Sequence, residues 1–242
     1  MDWQGKKKLP LNRMALILAI ETATEVCSVS MAYDGIILGE LHLSEGNMHA
    51  SKLHVLIDNL LKETGKTLNQ IEAIAVSMGP GSYTGLRVGV AAAKGFCLAL
   101  NIPLIAVNTL QSLSAMALVQ TEIPEKALLA PMLDARRMEV YTALLQKDLS
   151  FTQNTNALIL DESSLRDSLI KQPIYYFGNG ANKAQDLLQH PNAHFIPNVH
   201  ASAAGMAQLA EAKFKSKQFE DIAYFEPFYL KDFVGTTPKK RT

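Results

Sequence analysis

Apolar residues at the start of the chain occur in short runs separated by polar turns. The runs at residues 16–20 and 26–33 predict two strands, and Asp34-Gly35 predicts a hairpin that leads into a third strand at residues 36–43. The chain is therefore expected to open as an antiparallel meander.

Helical and strand-like segments alternate after this meander. Leucine and isoleucine at positions 53, 56, 57, 60 and 61 have the spacing of one face of an amphipathic helix, which we place at residues 50–64. The alternation that follows is typical of an α/β fold. It comprises a strand at 71–78, a glycine-rich loop at 79–85, a helix at 86–100, a strand at 104–107 and a helix at 109–118.

The second half of the chain repeats the opening of the first. An apolar strand at residues 128–133 is followed by Asp134, a polar turn and a strand at 140–145, and the first strand is followed in the same way by Glu21, about 113 residues earlier. We interpret this order as an internal duplication. The second copy is poorer, with irregular residues at 146–173, a strand at 174–177 and helices at 179–189 and 201–215.

The duplication divides the chain into two subdomains with short flanking segments. We expect an N-terminal subdomain at residues 14–118 and a reduced C-terminal subdomain at 119–230. Residues 1–13 are predicted to be a disordered leader and residues 231–242 a basic tail.

Composition narrows the functional classes. The 242 residues are 48% hydrophobic and 19% charged, which is ordinary for a globular protein. Because 23 basic and 23 acidic residues cancel, contact with RNA requires a local patch or a partner protein. Cys27 and Cys97 are expected in the core of a cytoplasmic protein. No apolar run approaches the roughly 20 residues of a membrane-spanning helix, and no signal peptide is recognisable.

The most specific motif is the glycine-rich segment between a predicted strand and a predicted helix. Glycine permits close approach of the backbone, and a helix N-terminus offers N–H groups to an anion. The segment has neither the Gly-Lys-Ser of a Walker loop nor the dinucleotide pattern. Contact with a phosphate or a partner and a purely structural turn are therefore both open. The candidate residues are Gly79, Gly81, Ser82, Thr84, Gly85 and Arg87.

Two strand ends carry acids that could belong to the same site. Glu21 and Thr22 stand where actin-like phosphotransferases hold a metal and a phosphate, although a hydrogen-bonded turn explains them equally well. Asp134 and Arg136 are their counterparts, and a local ion pair is the simpler explanation there. The histidines lack the spacing of a shared metal site, and no nucleophile with its base can be assigned.

Four segments, taken in order, resemble the TsaB (YeaZ) family. They are residues 17–24, the glycine-rich residues 79–89, residues 134–141 with Asp-Ala-Arg and Glu-Val-Tyr, and Glu-Pro-Phe-Tyr-Leu at 226–230. The resemblance implies a duplicated actin-like ATPase fold of the RNase H-like kind, with two subdomains of mixed sheets and flanking helices. The sequence departs from the family pattern at Glu21, where Asp is usual, and at Ala23, where Ser is usual.

The resemblance also implies a function. Members are non-catalytic paralogues of TsaD that serve, with the ATPase TsaE, as scaffold and activator in forming threonylcarbamoyladenosine on tRNA. TsaD-like proteins carry two metal-binding histidines after the strand that matches residues 104–107. Residues 107–113 here offer no imidazole, so we expect no metal site and no catalytic residue. A protease or a small-molecule kinase of the actin-like class are the alternatives.

The partners follow from the same resemblance. The helices at 50–64 and 86–100 are expected to pack against TsaD, and the same surface is expected to form a homodimer when TsaD is absent. Contact with tRNA is expected to be indirect, and no cofactor is expected to bind tightly, although ATP or ADP at the interface of the complex stays open. The expected contact residues are Leu53, Leu56, Leu60, Leu86, Gly89, Val90, Ala92, Ala93 and Phe96.

Overall fold

The computed structural model describes residues 14–43 and 49–231, with side chains in the first helix from residue 52 onward. The predicted leader, the loop after the third strand and the tail beyond residue 231 lie outside the described residues. The elements are β1 (Leu16–Glu21), β2 (Cys27–Tyr33), β3 (Ile36–Leu43), α1 (His49–Thr64), β4 (Ala73–Gly79), α2 (Tyr83–Leu100), β5 (Leu104–Asn108), α3 (Thr109–Gln120), β6 (Leu128–Asp134), β7 (Glu139–Leu145), β8 (Phe151–Ile159), α4 (Arg166–Leu169), β9 (Ile174–Phe177), β10 (Ala193–Phe195) and α5 (Ala207–Lys215).

The strands form two five-stranded sheets of one topology. The first sheet has the order β3-β2-β1-β4-β5 and the second has the order β10-β9-β6-β7-β8. In each sheet the first three strands in sequence pair antiparallel, and the next two add in parallel. This agreement confirms the predicted duplication and the predicted α/β class.

Strand β1 shows why the first sheet is covered on both faces. Successive side chains of a strand point to opposite faces. Leu18 and Ile20 pack into the core beneath α1 and α2, whereas Ile17 and Ala19 pack into a second core on the other face. A strand buried on both sides is a continuous apolar run, and the sequence shows this pattern.

The last helix of each half covers the sheet of the other half. Helix α3 contributes Leu110 and Leu113 to a core with Leu129 of β6. Residues 203–215 cross in the opposite direction, and Phe214 packs with Ile105 against the first sheet. The two halves therefore share their cores, and the boundary at residues 118–119 stays a prediction.

Two predictions for the second half are wrong, and a third is confirmed except for its start. Residues 146–173 are not irregular, because they contain β8 and α4; β8 looked polar because it is an edge strand with one partner. Residues 179–189 form consecutive turns with a 3-10 turn at Ala181–Lys183, and these turns bury Ala181, Ala184 and Leu188 at positions that mimic helical spacing. The predicted helix at 201–215 begins as a 3-10 turn and becomes α5 at Ala207.

Strand β10 has three residues and was too short for the pattern to show. Cys27 and Cys97 are buried and unpaired, as expected. Among the described residues, no helix has both the length and the apolar character needed to cross a bilayer.

The crossing of α5 can be tested by truncating one side chain. Phe214 is 5% exposed, so Phe214→Ala is expected to lower the free energy of unfolding by about 3–5 kcal/mol through lost burial and a residual cavity. Val119 on α3 is 83% exposed, and Val119→Ala is expected to change the free energy of unfolding by less than about 0.5 kcal/mol. Urea denaturation followed by circular dichroism measures both, and equal losses would contradict the packing of α5 on the first sheet.

Candidate functional site

Three glycines of the motif and the following helix, Gly81, Gly85 and Gly89, lie against the turn between β1 and β2. Helix α2 begins at Tyr83, three residues before the predicted start, so Gly85 and Gly89 lie inside the helix on the same face. A Cβ atom at Gly85 would lie 2.1 Å from the Thr22 carbonyl oxygen, and one at Gly89 would lie 2.2 Å from Thr22 Oγ1. Gly81 approaches the Ala23 carbonyl oxygen equally closely, at 2.4 Å from its ideal Cβ. Contact inside the chain therefore requires all three glycines.

Hydrogen bonds join the same two segments. Ser82 N–H donates to the Ala23 carbonyl oxygen at 2.6 Å, and Thr22 Oγ1 donates to the Gly85 carbonyl oxygen at 2.8 Å. Ser82 is also the N-cap of α2, since its hydroxyl accepts a hydrogen bond from Gly85 N–H at 3.3 Å. The exposed members of the predicted loop are Ser82, Thr84 and Arg87.

Gly79 is required by a segment near the end of the described chain, residues 226–231, which we call the C-terminal strap. Gly79 has a φ of +113°, and a Cβ atom there would lie 2.6 Å from the Phe228 carbonyl oxygen. Phe228 N–H in turn donates to the Met78 carbonyl oxygen at 2.7 Å. The strap is thereby fixed to the carboxyl end of β4.

An aromatic and guanidinium stack lies beside this contact. The rings of Tyr83 and Tyr229 are 4.9 Å apart, and the Arg87 guanidinium lies 5.0 Å above the Tyr83 ring. Arg87 also donates a hydrogen bond of 3.0 Å to the Tyr83 hydroxyl. The sequence motif did not reveal this stack, because Tyr229 is remote in the chain.

Glu21 is buried in the protein and does not face an open cleft. Its Oε1 accepts a hydrogen bond from Ala23 N–H at 2.7 Å, while Oε2 has no hydrogen-bond partner among the described residues. Burial raises the pKa of Glu21 to about 7, and hydrogen bonds from Ala23 and Ser77 oppose that rise only in part. The carboxyl group is therefore largely protonated below neutral pH.

The counterpart acid in the second half is held by a lysine. Asp134 forms an ion pair with Lys183 at 2.5 Å and accepts a hydrogen bond from Arg136 N–H at 2.6 Å. Burial works to raise the pKa of Asp134, but the contacts with Lys183 and Arg136 bring it below its ordinary value. The predicted local ion pair with Arg136 is wrong, because the cation that pairs with Asp134 is Lys183, 49 residues away in the chain, and Arg136 contributes only its backbone N–H.

Asn179 bridges the two strand-end turns. Its Nδ2 donates to Glu25 Oε2 at 3.2 Å, and its Oδ1 accepts from Asp134 N–H at 2.9 Å. The cavity between the turns, lined in part by Thr24 and His200, measures about 10 Å³. That is space for one water molecule, whereas small-molecule sites commonly have several hundred Å³. The turn at residues 178–180, which carries Asn179, thus closes the cleft between the halves.

Most of the predicted partner contacts lie inside the protein. A stripe with helical spacing faces the sheet, so it identifies the buried face of α1 and α2. Leu56, Ala92 and Phe96 are partly buried, and the other six are buried in the chain's own core and cannot contact a partner directly. These six are Leu53, Leu60, Leu86, Gly89, Val90 and Ala93.

The outer faces of the same helices carry other apolar residues. Val55 is 53% exposed and Leu98 is 68% exposed. Ala91 and Gly95 are exposed on α2, and the space around Gly95 is open for 4 Å.

The segment in which TsaD-like proteins carry histidines is used for packing. Asn108 caps α3 through Oδ1, which accepts from Leu110 N–H at 2.8 Å, and its Nδ2 donates to Thr155 Oγ1 at 3.1 Å. Thr109 and Ser112 are buried. Within residues 14–43 and 52–231, no three His, Cys, Asp or Glu side chains are grouped as a metal site would require.

Comparisons with known proteins agree with this architecture. The family described as TsaD, tRNA N6-adenosine threonylcarbamoyltransferase, matches residues 45–238. The chain is 36% identical to tRNA threonylcarbamoyladenosine biosynthesis protein TsaB of Haemophilus influenzae over 90% of this chain and 94% of that protein. It is 37% identical to the TsaB of Escherichia coli over 54% of this chain and 55% of that protein. The solved structure of YeaZ from Pseudomonas aeruginosa has a TM-score of 0.74 at 27% identity, covering 90% of this chain and all of that one.

The two matching sheets and the helices exchanged between them define a protein of the duplicated actin-like class. Within that class, the chain belongs to the TsaB family of tRNA threonylcarbamoyladenosine biosynthesis proteins.

The glycine face of α2 can be tested with two matched substitutions in one helix. Gly85→Ala places a methyl group against the Thr22 carbonyl oxygen, so we expect a loss of about 1–3 kcal/mol in the free energy of unfolding. Gly95→Ala adds the same methyl group in open space and is expected to gain about 0.5–1 kcal/mol through helix propensity. Chemical denaturation measures both, and a stabilising Gly85→Ala would contradict the contact.

Burial of Glu21 predicts a pH dependence of stability. Because the folded-state pKa is raised from 4.5 to about 7, the folded state holds this proton longer, and stability falls as pH rises between these values. Glu21→Gln removes that dependence. The difference in free energy of unfolding between the variant and the original chain should therefore rise by about 3 kcal/mol in favour of the variant from about pH 4.5 to about pH 8. Denaturation curves across this range measure the difference. Exposed Glu162→Gln is the control, and an equal gain there would contradict the assignment.

Proposed function

We propose that this chain is a non-catalytic subunit that binds and activates TsaD, together with TsaE, in the formation of threonylcarbamoyladenosine on tRNA in the cytoplasm. Membership of the TsaB family supports the pathway. The observation that carries the non-catalytic role is the use of residues 107–113 for capping and packing, with no imidazole in that segment.

The proposed contact with TsaD uses the outer faces of α1 and α2. Leu98 and Val55 are large apolar side chains that the chain itself leaves more than half exposed. Exposed Gly95 in α2 costs about 1 kcal/mol in helix propensity without any contact among the described residues that explains it. Small residues permit helices to approach closely, so a partner helix seated on this face would account for it. We propose that the same face forms a homodimer when TsaD is absent.

A nucleotide, if the complex holds one, is proposed to lie at the junction with TsaD. The support is the volume of about 10 Å³ between the strand-end turns, which is far below what a nucleotide occupies. Asn179 and the Asp134–Lys183 pair hold this cleft closed.

Leu98→Glu tests the proposed interface. A charge on the outer face of α2 has to be desolvated when a partner helix packs there, so binding to TsaD should weaken by at least about a hundredfold. The fold should be retained because Leu98 is 68% exposed. Co-purification with TsaD and tRNA modification in a reconstituted mixture measure the two effects.

Val119→Glu is the matched control, since Val119 is 83% exposed on a different helix. It should bind TsaD and support modification as the original chain does. Full binding and modification by Leu98→Glu would overturn the proposed interface. Gly89 is unsuitable for this test, because any side chain there collides with Thr22.

A further inference from the structure

We propose that Arg87, Tyr229 and the turn at Arg136–Arg137 form a surface that binds single-stranded RNA directly. The assignment of that RNA as an unpaired region of tRNA rests on the proposed function. Direct contact goes beyond the indirect role expected from the sequence.

The first part of this surface is a ladder of planar groups. The Arg87 guanidinium lies over the Tyr83 ring at 5.0 Å from its centroid, and the Tyr83 and Tyr229 rings make a tilted contact with centroids 4.9 Å apart and planes inclined by 36°. Arg87 is exposed at one end of the ladder and Tyr229 is partly exposed at the other. Proteins bind unpaired bases by stacking them on tyrosine rings and arginine planes, so the ends of the ladder suit a nucleobase.

The C-terminal strap connects the ladder to a second cationic element. Two residues beyond Tyr229, Lys231 forms an ion pair with Glu139 at the start of β7. The Lys183 ammonium group lies 3.4 Å from the Glu139 carbonyl oxygen and pairs with Asp134. The ladder and the turn before β7 therefore lie on one continuous surface.

The charge of this surface is positive in a chain whose net charge is zero. Two of its carboxylates, Asp134 and Glu139, are neutralised by lysines, whereas exposed Glu25, which Asn179 joins to Asp134, carries an opposing charge. Over the described part of the chain, no ion pair within 4 Å involves an arginine, so Arg87, Arg136 and Arg137 keep their charge for another partner. The strap contributes one opposing carboxylate, Glu226. The surplus is enough for a few phosphate contacts and too small for strong non-specific binding.

The two arginines of the turn have an uncommon backbone conformation. Arg136 and Arg137 have φ values of +71° and +51°, a conformation that is unfavourable for residues with a Cβ atom. The hairpin between β2 and β3 uses Asp34 and Gly35 at its two positive-φ positions, and these residue types accept that conformation readily. Two exposed arginines are thus held where a turn alone would favour Asn or Gly.

Single-stranded RNA fits both elements better than the alternatives. An acidic protein would satisfy the arginines and leave the aromatic ladder unexplained. A duplex presents phosphates but keeps its bases stacked on one another. Unpaired RNA offers phosphate to the arginines and bases to the ladder.

Fluorescence anisotropy with the full-length chain tests the proposal. The probes are a labelled single-stranded oligoribonucleotide, the duplex of the same sequence, and an isolated tRNA anticodon stem-loop. We expect the single strand and the stem-loop to bind at least about tenfold more tightly than the duplex. Arg87→Ala and Tyr229→Ala should each weaken that binding about tenfold, and Tyr229→Phe, which keeps the ring, should bind as the original chain does. Arg136→Ala should reduce the slope of the logarithm of the binding constant against the logarithm of the salt concentration by about 1, which corresponds to one phosphate contact.

Lys217→Ala is the charge-matched control, since Lys217 is an exposed cation just beyond α5, on the face of the first sheet opposite α2. Equal binding by Arg87→Ala and the original chain, an equal loss in Lys217→Ala, or equal affinity for single strand and duplex would each overturn the proposal. Displacement of the RNA by polyglutamate at equal charge concentration would instead identify a site for acidic protein and would also overturn it. If Tyr229→Ala lowers the unfolding midpoint, Arg87→Ala decides, because its side chain is exposed.

The outcome can be separated from failure of the proposed function. Arg87→Ala and Tyr229→Ala should still co-purify with TsaD, and Leu98→Glu should still bind the oligoribonucleotide. If Arg87→Ala and Tyr229→Ala lose RNA binding and keep TsaD binding, the RNA-binding surface is supported even if the contact with TsaD lies elsewhere. Normal RNA binding by that pair overturns the surface and leaves the scaffold role untouched.

Discussion

The contact between the glycine face of α2 and the turn after β1 determines how the rest of the candidate site is arranged. Gly85 and Gly89 let the helix approach until Thr22 lies where their side chains would be. Hydrogen bonds from Ser82 and Thr22 fix that approach at both ends. Because the turn is held beneath the helix, Glu21 points into the core and lies away from solvent. The glycine-rich segment, for which the sequence left a ligand contact and a structural turn both open, therefore makes a packing contact inside the protein.

The acids at the two strand ends show what this arrangement does to their chemistry. Burial keeps Glu21 largely protonated below neutral pH, and a protonated carboxyl group is a poor ligand for a metal ion. Asp134 remains charged, but it is already paired with Lys183. Asn179 joins the backbone of Asp134 to the side chain of Glu25. Glu21 is thus a buried group of the first half, and Asp134 belongs to the closed junction between the halves. This arrangement accords with a scaffold role, in which the joined halves present surfaces to partners.

Hydrophobic spacing predicted most of the first half because both faces of its sheet are covered, so strands and helices leave strong patterns. Hydrophobic spacing gave wrong predictions where the buried residues do not follow the period of a strand or a helix. The edge strand β8 has one partner and a polar sequence, and residues 179–189 bury Ala181, Ala184 and Leu188 through turns. In the candidate site, spacing located the sheet-facing stripe of α2 and missed its outer face. The bridge made by Asn179 and the Tyr83–Tyr229 stack depend on contacts between remote residues, which no local pattern encodes.

Helix α2 contains buried glycines that contact Thr22 and an exposed glycine that contacts nothing within 4 Å. The first kind is required by the fold of the chain, whereas the second is explained by the proposed contact with a partner. Gly85 and Gly89 lower helix propensity, but each permits a contact with Thr22 that no other residue would allow. Gly95 lowers propensity by a similar amount and faces open space. Nothing in the described chain uses that space, which supports the proposed contact with a partner helix on this face. The sheet-facing side of α2 therefore organises the fold, and its outer face is the part that a partner can use.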